Sequence, residues 1–266
     1  VKILVLYFSG TGNTHFIAKK IKESLQEEDT ECSAVEIFPL STVKDYDILI
    51  FGFPVYGCKM PDFLKQFTDK FTLTKTKRII LFSTFAYTPC NAMKGAANYF
   101  ERAGFRVAFA RGIKMPGSDG LLLVKKNSRI AEKMSQINPK GIKQFIDSVK
   151  NAVYSDNPDI QGNVFFAPAE IIMKLFVPIE NKLKAAMFAD ESCIHCGICE
   201  KVCPVNNIKV TKDKVLFGKE CVLCLRCVSQ CPTEAIQIGK FTKGTVRWKG
   251  PSGNFNPINE FNSGKK

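Results

Sequence analysis

Apolar and polar positions along the first 150 residues follow two interleaved periods. Lys2 to Phe8 is an almost unbroken apolar run, as expected of a strand buried on both faces. After a short glycine-containing loop, Phe16, Ile17, Ile21 and Leu25 recur at helical spacing, with Lys19, Lys20, Lys22 and Glu23 around the rest of the turn. Further apolar runs at 31–38, 47–53, 78–85 and 105–111 alternate with helical patterns at 61–70, 91–103 and 128–150. Strands alternating with helices predict an α/β fold, here a doubly wound five-stranded parallel sheet.

The pattern breaks in the last third, where the cysteines gather. Of eleven, Cys32, Cys58 and Cys90 are isolated and the other eight lie between Cys193 and Cys231. Cys193, Cys196, Cys199 and Cys203, then Cys221, Cys224, Cys227 and Cys231, both read C-x2-C-x2-C-x3-C, and Pro204 and Pro232 follow them. The two runs repeat at a fixed offset, and the match continues from Ile208 and Val210 to Ile236 and Ile238, as if each loop led into the same short strand. Zinc sites and disulfides are the alternatives, but zinc fingers and ribbons separate their ligand pairs by a dozen or more residues.

This stretch resembles a bacterial-type ferredoxin with two [4Fe-4S] clusters. The resemblance implies a small α+β domain over 190–240. It also implies that the fourth cysteine of each run serves the other cluster. One set is then Cys193, Cys196, Cys199 and Cys231; the other is Cys221, Cys224, Cys227 and Cys203.

The loop after the first run is Ser9-Gly10-Thr11-Gly12-Asn13-Thr14. Converging backbone N–H groups, hydroxyl side chains and a helix N-terminus suit a phosphate. No lysine stands in a P-loop frame, and the dinucleotide fingerprint is unmet. A strand-turn-helix with no ligand is the alternative. Ser9, Thr11, Gly12 and Thr14 match the T/S-x-T-G-x-T form of flavodoxin, which the first 152 residues resemble. That resemblance implies strand order 2-1-3-4-5 and an FMN site beyond the carboxyl ends of the strands. The site residues would be the phosphate loop, Pro54, Val55, Tyr56 and Gly57 after the third strand, and Thr84, Phe85, Ala86 and Tyr87 after the fourth. Tyr56 is the candidate to pack on the flavin ring, with simple core packing as its alternative. Cys58 and Cys90 fall in the same loops and are read as small apolar fillers, with contact to the flavin ring or reaction with a partner as the alternative; Cys32 is read as core.

Residues 113–127 are expected to form a loop near the end of the fifth strand, placed to cover the flavin edge. Residues 153–189 are expected to be a helical connector broken at Pro178, and 241–266 a C-terminal tail. No apolar run reaches the length of a membrane span, and the N-terminus reads straight into a strand, so the expected location is the cytoplasm with no membrane contact. Lys and Arg number 38 against 25 Asp and Glu, a formal +13, which suits an acidic partner. No nucleic-acid recognition motif accompanies the charge.

As a whole the chain resembles the flavodoxin-ferredoxin fusion proteins of anaerobic bacteria and archaea. The resemblance implies an iron-sulfur flavoprotein that passes low-potential electrons between a soluble redox partner, two clusters and FMN. A ferredoxin or a ferredoxin-dependent oxidoreductase would be such a partner. An FMN-dependent reductase of a quinone, nitro compound or oxygen, and a cluster-bearing binding or sensor module, are the alternatives. The sequence leaves open whether the protein is a carrier or an oxidoreductase.

Overall fold

A computed structural model describes residues 1–26, 30–36, 46–65, 78–155, 157–162 and 177–259. Its larger part is a parallel sheet of six strands in the order β2-β1-β3-β4-β5-β6. The strands are β1 (Lys2–Tyr7), β2 (Glu31–Glu36), β3 (Ile48–Pro54), β4 (Arg78–Phe85), β5 (Arg106–Lys114) and β6 (Asp159–Ile160). The first five follow the expected order. The sixth, of two residues, is too short to leave a periodic trace in the sequence.

Side-chain alternation along β1 explains why helices cover both faces. Ile3, Val5 and Tyr7 enter one core beneath α1 (Asn13–Leu25) and the later helix at Pro139–Tyr154. Leu4 and Leu6 enter the other core, with Met93, Ala96, Ala97 and Phe100 of α2 (Ala92–Arg102). Each strand in the middle of the sheet is therefore apolar on both sides, which is why β3 is buried along its whole length.

The helical pattern at 128–150 resolves into two helices rather than one. After the short α3 (Ser118–Leu121), α4 (Arg129–Met134) is capped by Ser128 and α5 (Pro139–Tyr154) by Asn138. Proline at the first position of α5 disfavours helical backbone at Asn138, and the Asn138 side chain accepts from the Gly141 N–H at 3.1 Å. Of the pattern at 61–70, Asp62–Leu64 form a 3-10 turn, and 66–70 lie outside the described residues, as do 37–38 of the second run.

The smaller part contains α6 (Val177–Ala185), β7 (Met187–Ala189), α7 (Ile198–Lys201), β8 (Ile208–Val210), β9 (Val215–Phe217), α8 (Arg226–Gln230) and β10 (Ile236–Ile238). Both short strands suggested by the repeat are present, but they find different partners: β8 pairs antiparallel with β9, and β10 with β7. Of the connector expected at 153–189, residues 163–176 lie outside the described residues. Its described ends join the two sheets, through β6 and β7. Among the described residues no helix is long and apolar enough to cross a membrane.

The two parts share core and backbone. Leu122, from the loop after α3, packs in the same cluster as Val202, Val228 and Ile236. The tail returns as well. Val246 N–H donates to Val124 O at 3.0 Å, Lys126 N–H donates to Gly244 O at 3.2 Å, and Phe255 is 2% exposed.

Candidate functional site

Between the two parts lies a cleft of about 390 Å³, within the size range of small-molecule sites. One wall is the loop after β1, and another is made by the turns after β3 and β4. Pro116 to Asp119 contribute from the segment after β5. Every residue expected to hold FMN lines the cleft except Gly12.

Gly12 instead caps α1 with a left-handed backbone, φ +103°, and faces the tail. A Cβ there would lie 2.7 Å from Phe255 Cβ and 2.8 Å from Gly250, so glycine is required by close approach as well as by φ. The loop is tied down by its own groups. Gly12 N–H donates to Ser9 Oγ at 3.0 Å, and the hydroxyls of Thr14 and Thr84 are 2.9 Å apart, linking the first loop to β4. Ser9, Thr11, Thr14 and Thr84 are all buried.

The remaining wall was not anticipated from the sequence. Val222, Leu223, Cys224 and Leu225, from the second cysteine run, face the cleft together with Glu180 and Leu183 of α6. The contact is close: a Cβ on Gly10 would meet the Cys224 carbonyl oxygen at 2.6 Å and the Tyr56 hydroxyl. Tyr56 thus stands beside both the phosphate loop and the cysteine loop. Burial, with the Cys224 thiol nearby, pushes its phenol well above the usual tyrosine range.

Arg226 fastens this junction. Lying between Cys224 and Cys227 in the sequence, it is fully buried, and its Nε donates to Ser9 O at 2.8 Å. Its Nη2 donates to Glu36 Oε1 at 2.7 Å, while Glu36 Oε2 accepts from Ser9 N–H at 3.2 Å. The guanidinium lies 4.3 Å from the centre of the Phe8 ring. An acid at the end of β2 and an arginine inside a cysteine motif were the available signals, but nothing local in the sequence joins them.

On the other side of the phosphate loop, Asn13 Nδ2 donates to Pro116 O at 2.7 Å, and Asn13 Oδ1 accepts from Trp248 Nε1 at 2.8 Å. The His15 ring packs 5.1 Å from that of Phe255, and its Nδ1 is 2.8 Å from the Tyr7 hydroxyl.

The eight clustered cysteines surround two cavities. Cys203, Cys221, Cys224 and Cys227 line one, and Cys193, Cys196, Cys199 and Cys231 line the other. Each run thus contributes three cysteines to one cavity and its fourth to the other. Among the described residues no three or more His, Cys, Asp or Glu converge on a point suited to a single metal ion. Four thiols distributed around each cavity are the donor set that a cubane takes.

Burial pushes the Cys199 thiol up to about 11 and that of Cys224 up to about 12. Such thiols stay protonated at neutral pH until a metal displaces the proton. Backbone amides already point at the sulfurs: Asn207 N–H reaches Cys203 Sγ and Ala235 N–H reaches Cys231 Sγ, both at 3.2 Å. Cys224 and Cys227 are buried, whereas Cys196 is exposed, so one cavity lies against the cleft and the other toward solvent.

Cys58 and Cys90 correct the sequence reading. They are not separate apolar fillers but a disulfide, with Cα atoms 5.2 Å apart. The sequence could not pair them because they lie 32 residues apart on different loops. Cys32 is buried in the first core, and burial pushes its thiol up to about 11.

Comparison with known proteins divides the chain in the same way. Residues 4–106 match the family model of a flavodoxin domain, and residues 192–235 match that of a 4Fe-4S dicluster domain. A ferredoxin of Methanothermococcus thermolithotrophicus is 40% identical over 45 residues, which are 16% of this chain and 75% of that protein. The polyferredoxin protein MvhB of Methanothermobacter marburgensis is 42% identical over 48 residues, 18% of this chain and 12% of that one. The chain spans between 11% and 22% of the length of four of the curated relatives it matches. Among solved structures, a flavodoxin from the domain Archaea aligns with a TM-score of 0.38 at 16% identity, covering 56% of this chain and 99% of that one.

Proposed function

The chain is a flavodoxin-ferredoxin fusion protein, and from that premise we propose that it carries electrons between a soluble redox protein, two [4Fe-4S] clusters and FMN. The observation that carries the reading is the shared cleft, where the cysteine loop Val222 to Leu225 is itself a wall of the flavin site. In this reading, residues 1–152 form the flavin domain, 190–240 form the two-cluster domain, and 153–189 with 241–266 join and brace them.

FMN bound in the cleft supplies chemistry that accepts or releases two electrons with protons, whereas each cluster handles one. Ser9, Gly10, Thr11, Asn13 and Thr14 would hold the phosphate through hydroxyls and backbone amides, with Gly12 shaping the loop from behind. Pro54 to Gly57 and Thr84 to Tyr87 hold the ring. Tyr56, kept protonated by burial, adds no negative charge to the cleft. Leu183, Leu223 and Leu225 exclude water from the side nearest the cysteines.

Cys203, Cys221, Cys224 and Cys227 hold the inner cluster. Cys193, Cys196, Cys199 and Cys231 hold the outer one, whose exposed Cys196 marks the entry port. The buried Arg226–Glu36 pair holds the second cysteine loop against the phosphate loop, so the residues that would bind the inner cluster and the flavin are kept at one fixed geometry. The net charge of +13 steers an acidic ferredoxin or ferredoxin-dependent oxidoreductase to the port, with a rate that falls as salt rises.

Anaerobic reductive titration followed by absorption and EPR, with FMN, iron and sulfide measured on the same sample, tests this reading. The expected result is one flavin and two cubanes. Flavin reduction by a protein donor should slow on Cys196→Ser or Cys224→Ser. An unchanged rate in both variants would show that electrons reach the flavin without the clusters.

A further inference from the structure

Neither the cluster ligand sets nor the flavin loops make use of Cys58 and Cys90. The two come from the turns after β3 and β4, which wall the same cleft, and they are covalently joined. Cys58 lines the cleft, on a tight turn closed by reciprocal backbone hydrogen bonds of 3.1 Å between Tyr56 and Lys59. Cys90 lies behind it, 1% exposed, immediately before the residue that caps α2. One sulfur is thus reachable from the cleft and the other sheltered.

Two further observations separate this pair from a simple staple. Both residues have left-handed backbone, φ +63° at Cys58 and +45° at Cys90, which cysteine rarely adopts and which clusters at functional sites. The pair also shares a chain with eight thiols gathered around two cavities, thiols that must stay reduced to bind clusters. In a setting that keeps those thiols reduced, a disulfide is usually catalytic or redox-sensing.

We propose that Cys58 and Cys90 form a further redox centre, a two-electron dithiol–disulfide couple that is reduced from the flavin and in turn reduces a disulfide substrate at the cleft. This rests on the FMN reading above. In the first half-reaction the Cys58–Cys90 bond breaks and gains two electrons and two protons, giving two thiols, as reduced flavin gives up two electrons and two protons. In the second, the Cys58 thiolate attacks one sulfur of the substrate disulfide and releases the other as a thiol. Cys90 then attacks Cys58 Sγ, releasing the second substrate thiol and restoring the internal disulfide. The electrons that reach the substrate are those the clusters delivered.

The test is thiol labelling of the anaerobically purified holoprotein before and after reduction by photoreduced deazaflavin, quenched in denaturant with N-ethylmaleimide and read peptide by peptide. A flavin-depleted sample of the same preparation is treated in parallel. The expected result is one new label on each of Cys58 and Cys90 after reduction, in the flavin-loaded sample only. Labels appearing equally in both samples would show reduction without flavin and overturn the proposal. A bleached flavin with the disulfide intact would mark a structural staple and overturn it too.

Failure to find bound flavin registers in the flavin absorbance before any label is counted, and identifies the FMN reading as the part that fails. In a second measurement, reduced Cys90→Ser protein is treated with hydroxyethyl disulfide. A stable mixed disulfide on Cys58 is expected, and its absence would exclude Cys58 as the attacking thiol.

Discussion

Arg226 and Glu36 lie 190 residues apart in the sequence and form an ion pair in which neither side chain has any exposure to solvent. Removing either would leave the other's buried charge without this ion-pair partner. Arg226→Ala is therefore expected to cost about 3–5 kcal/mol in chemical denaturation. A double-mutant cycle with Glu36→Gln should show that most of this loss is shared between the two residues. Additive losses would mean that the pair is incidental to the junction. Where the variant folds, cluster-to-flavin transfer should become slower and heterogeneous.

Gly10 and Gly95 should respond oppositely to the same substitution. A Cβ at Gly10 would press on the Cys224 carbonyl and the Tyr56 hydroxyl, whereas one at Gly95 in α2 meets nothing within 4 Å. Gly10→Ala is expected to weaken FMN binding by roughly tenfold or more, since about 1.4 kcal/mol of displaced packing is enough for that factor. Gly95→Ala should stabilise the protein by about 0.5–1 kcal/mol and leave flavin affinity alone. Flavin fluorescence titration and thermal melts read both effects.

Trp248, the only tryptophan, donates to Asn13 in the phosphate loop. Its emission should be quenched when FMN binds, giving a direct readout of flavin loading. Phe255→Ala, which empties a buried site behind Gly12, is expected to cost about 3–5 kcal/mol and to weaken this quenching at a given flavin concentration. Unquenched emission in flavin-loaded protein would show that the tail leaves the loop in solution.

The Cys32 thiol is raised by burial from 9.0 to about 11, so the folded state favours its neutral form. Its contribution to stability is fully present below pH 9 and is lost as pH rises toward about 11, because the unfolded chain can then release a proton that the folded chain retains. Cys32→Ala should flatten the alkaline limb of the stability profile. In native protein at pH 8, iodoacetamide should leave Cys32 unlabelled.

The parts of this molecule that were legible in the sequence are those written in local periods. The run Lys2 to Phe8, the helical recurrence from Phe16 to Leu25 and the spacing of the eight cysteines each encode one element and its immediate neighbour. The phosphate loop was legible for the same reason, since glycines and hydroxyls follow directly on a buried strand. Pro139 was a local signal too, and it divides a stretch that apolar spacing alone joins into one helix.

What could not be read is the junction. Arg226 with Ser9, Trp248 with Asn13, and Cys58 with Cys90 are pairings across distant loops. Such pairings leave no period, and one sequence contains nothing that ties one member to the other. The apolar wall supplied by Leu183, Leu223 and Leu225 was hidden likewise, because each leucine looks locally like part of its own helix or cysteine loop.

The back-to-back glycines have a consequence for biosynthesis. Gly12 is made well before the segment it rests on, from Trp248 through Gly250 to Phe255, which comes some 235 residues later. At about 5–20 residues per second that interval is roughly 10–50 s. During that time the sheet can form, but the rear of the phosphate loop faces solvent. The nascent chain must therefore pass through a stage in which the cysteine loops have emerged before the flavin pocket is closed. Iron–sulfur assembly can thus precede flavin capture, and a ribosome stalled ahead of Trp248 leaves the phosphate loop, made long before, as the unfinished part.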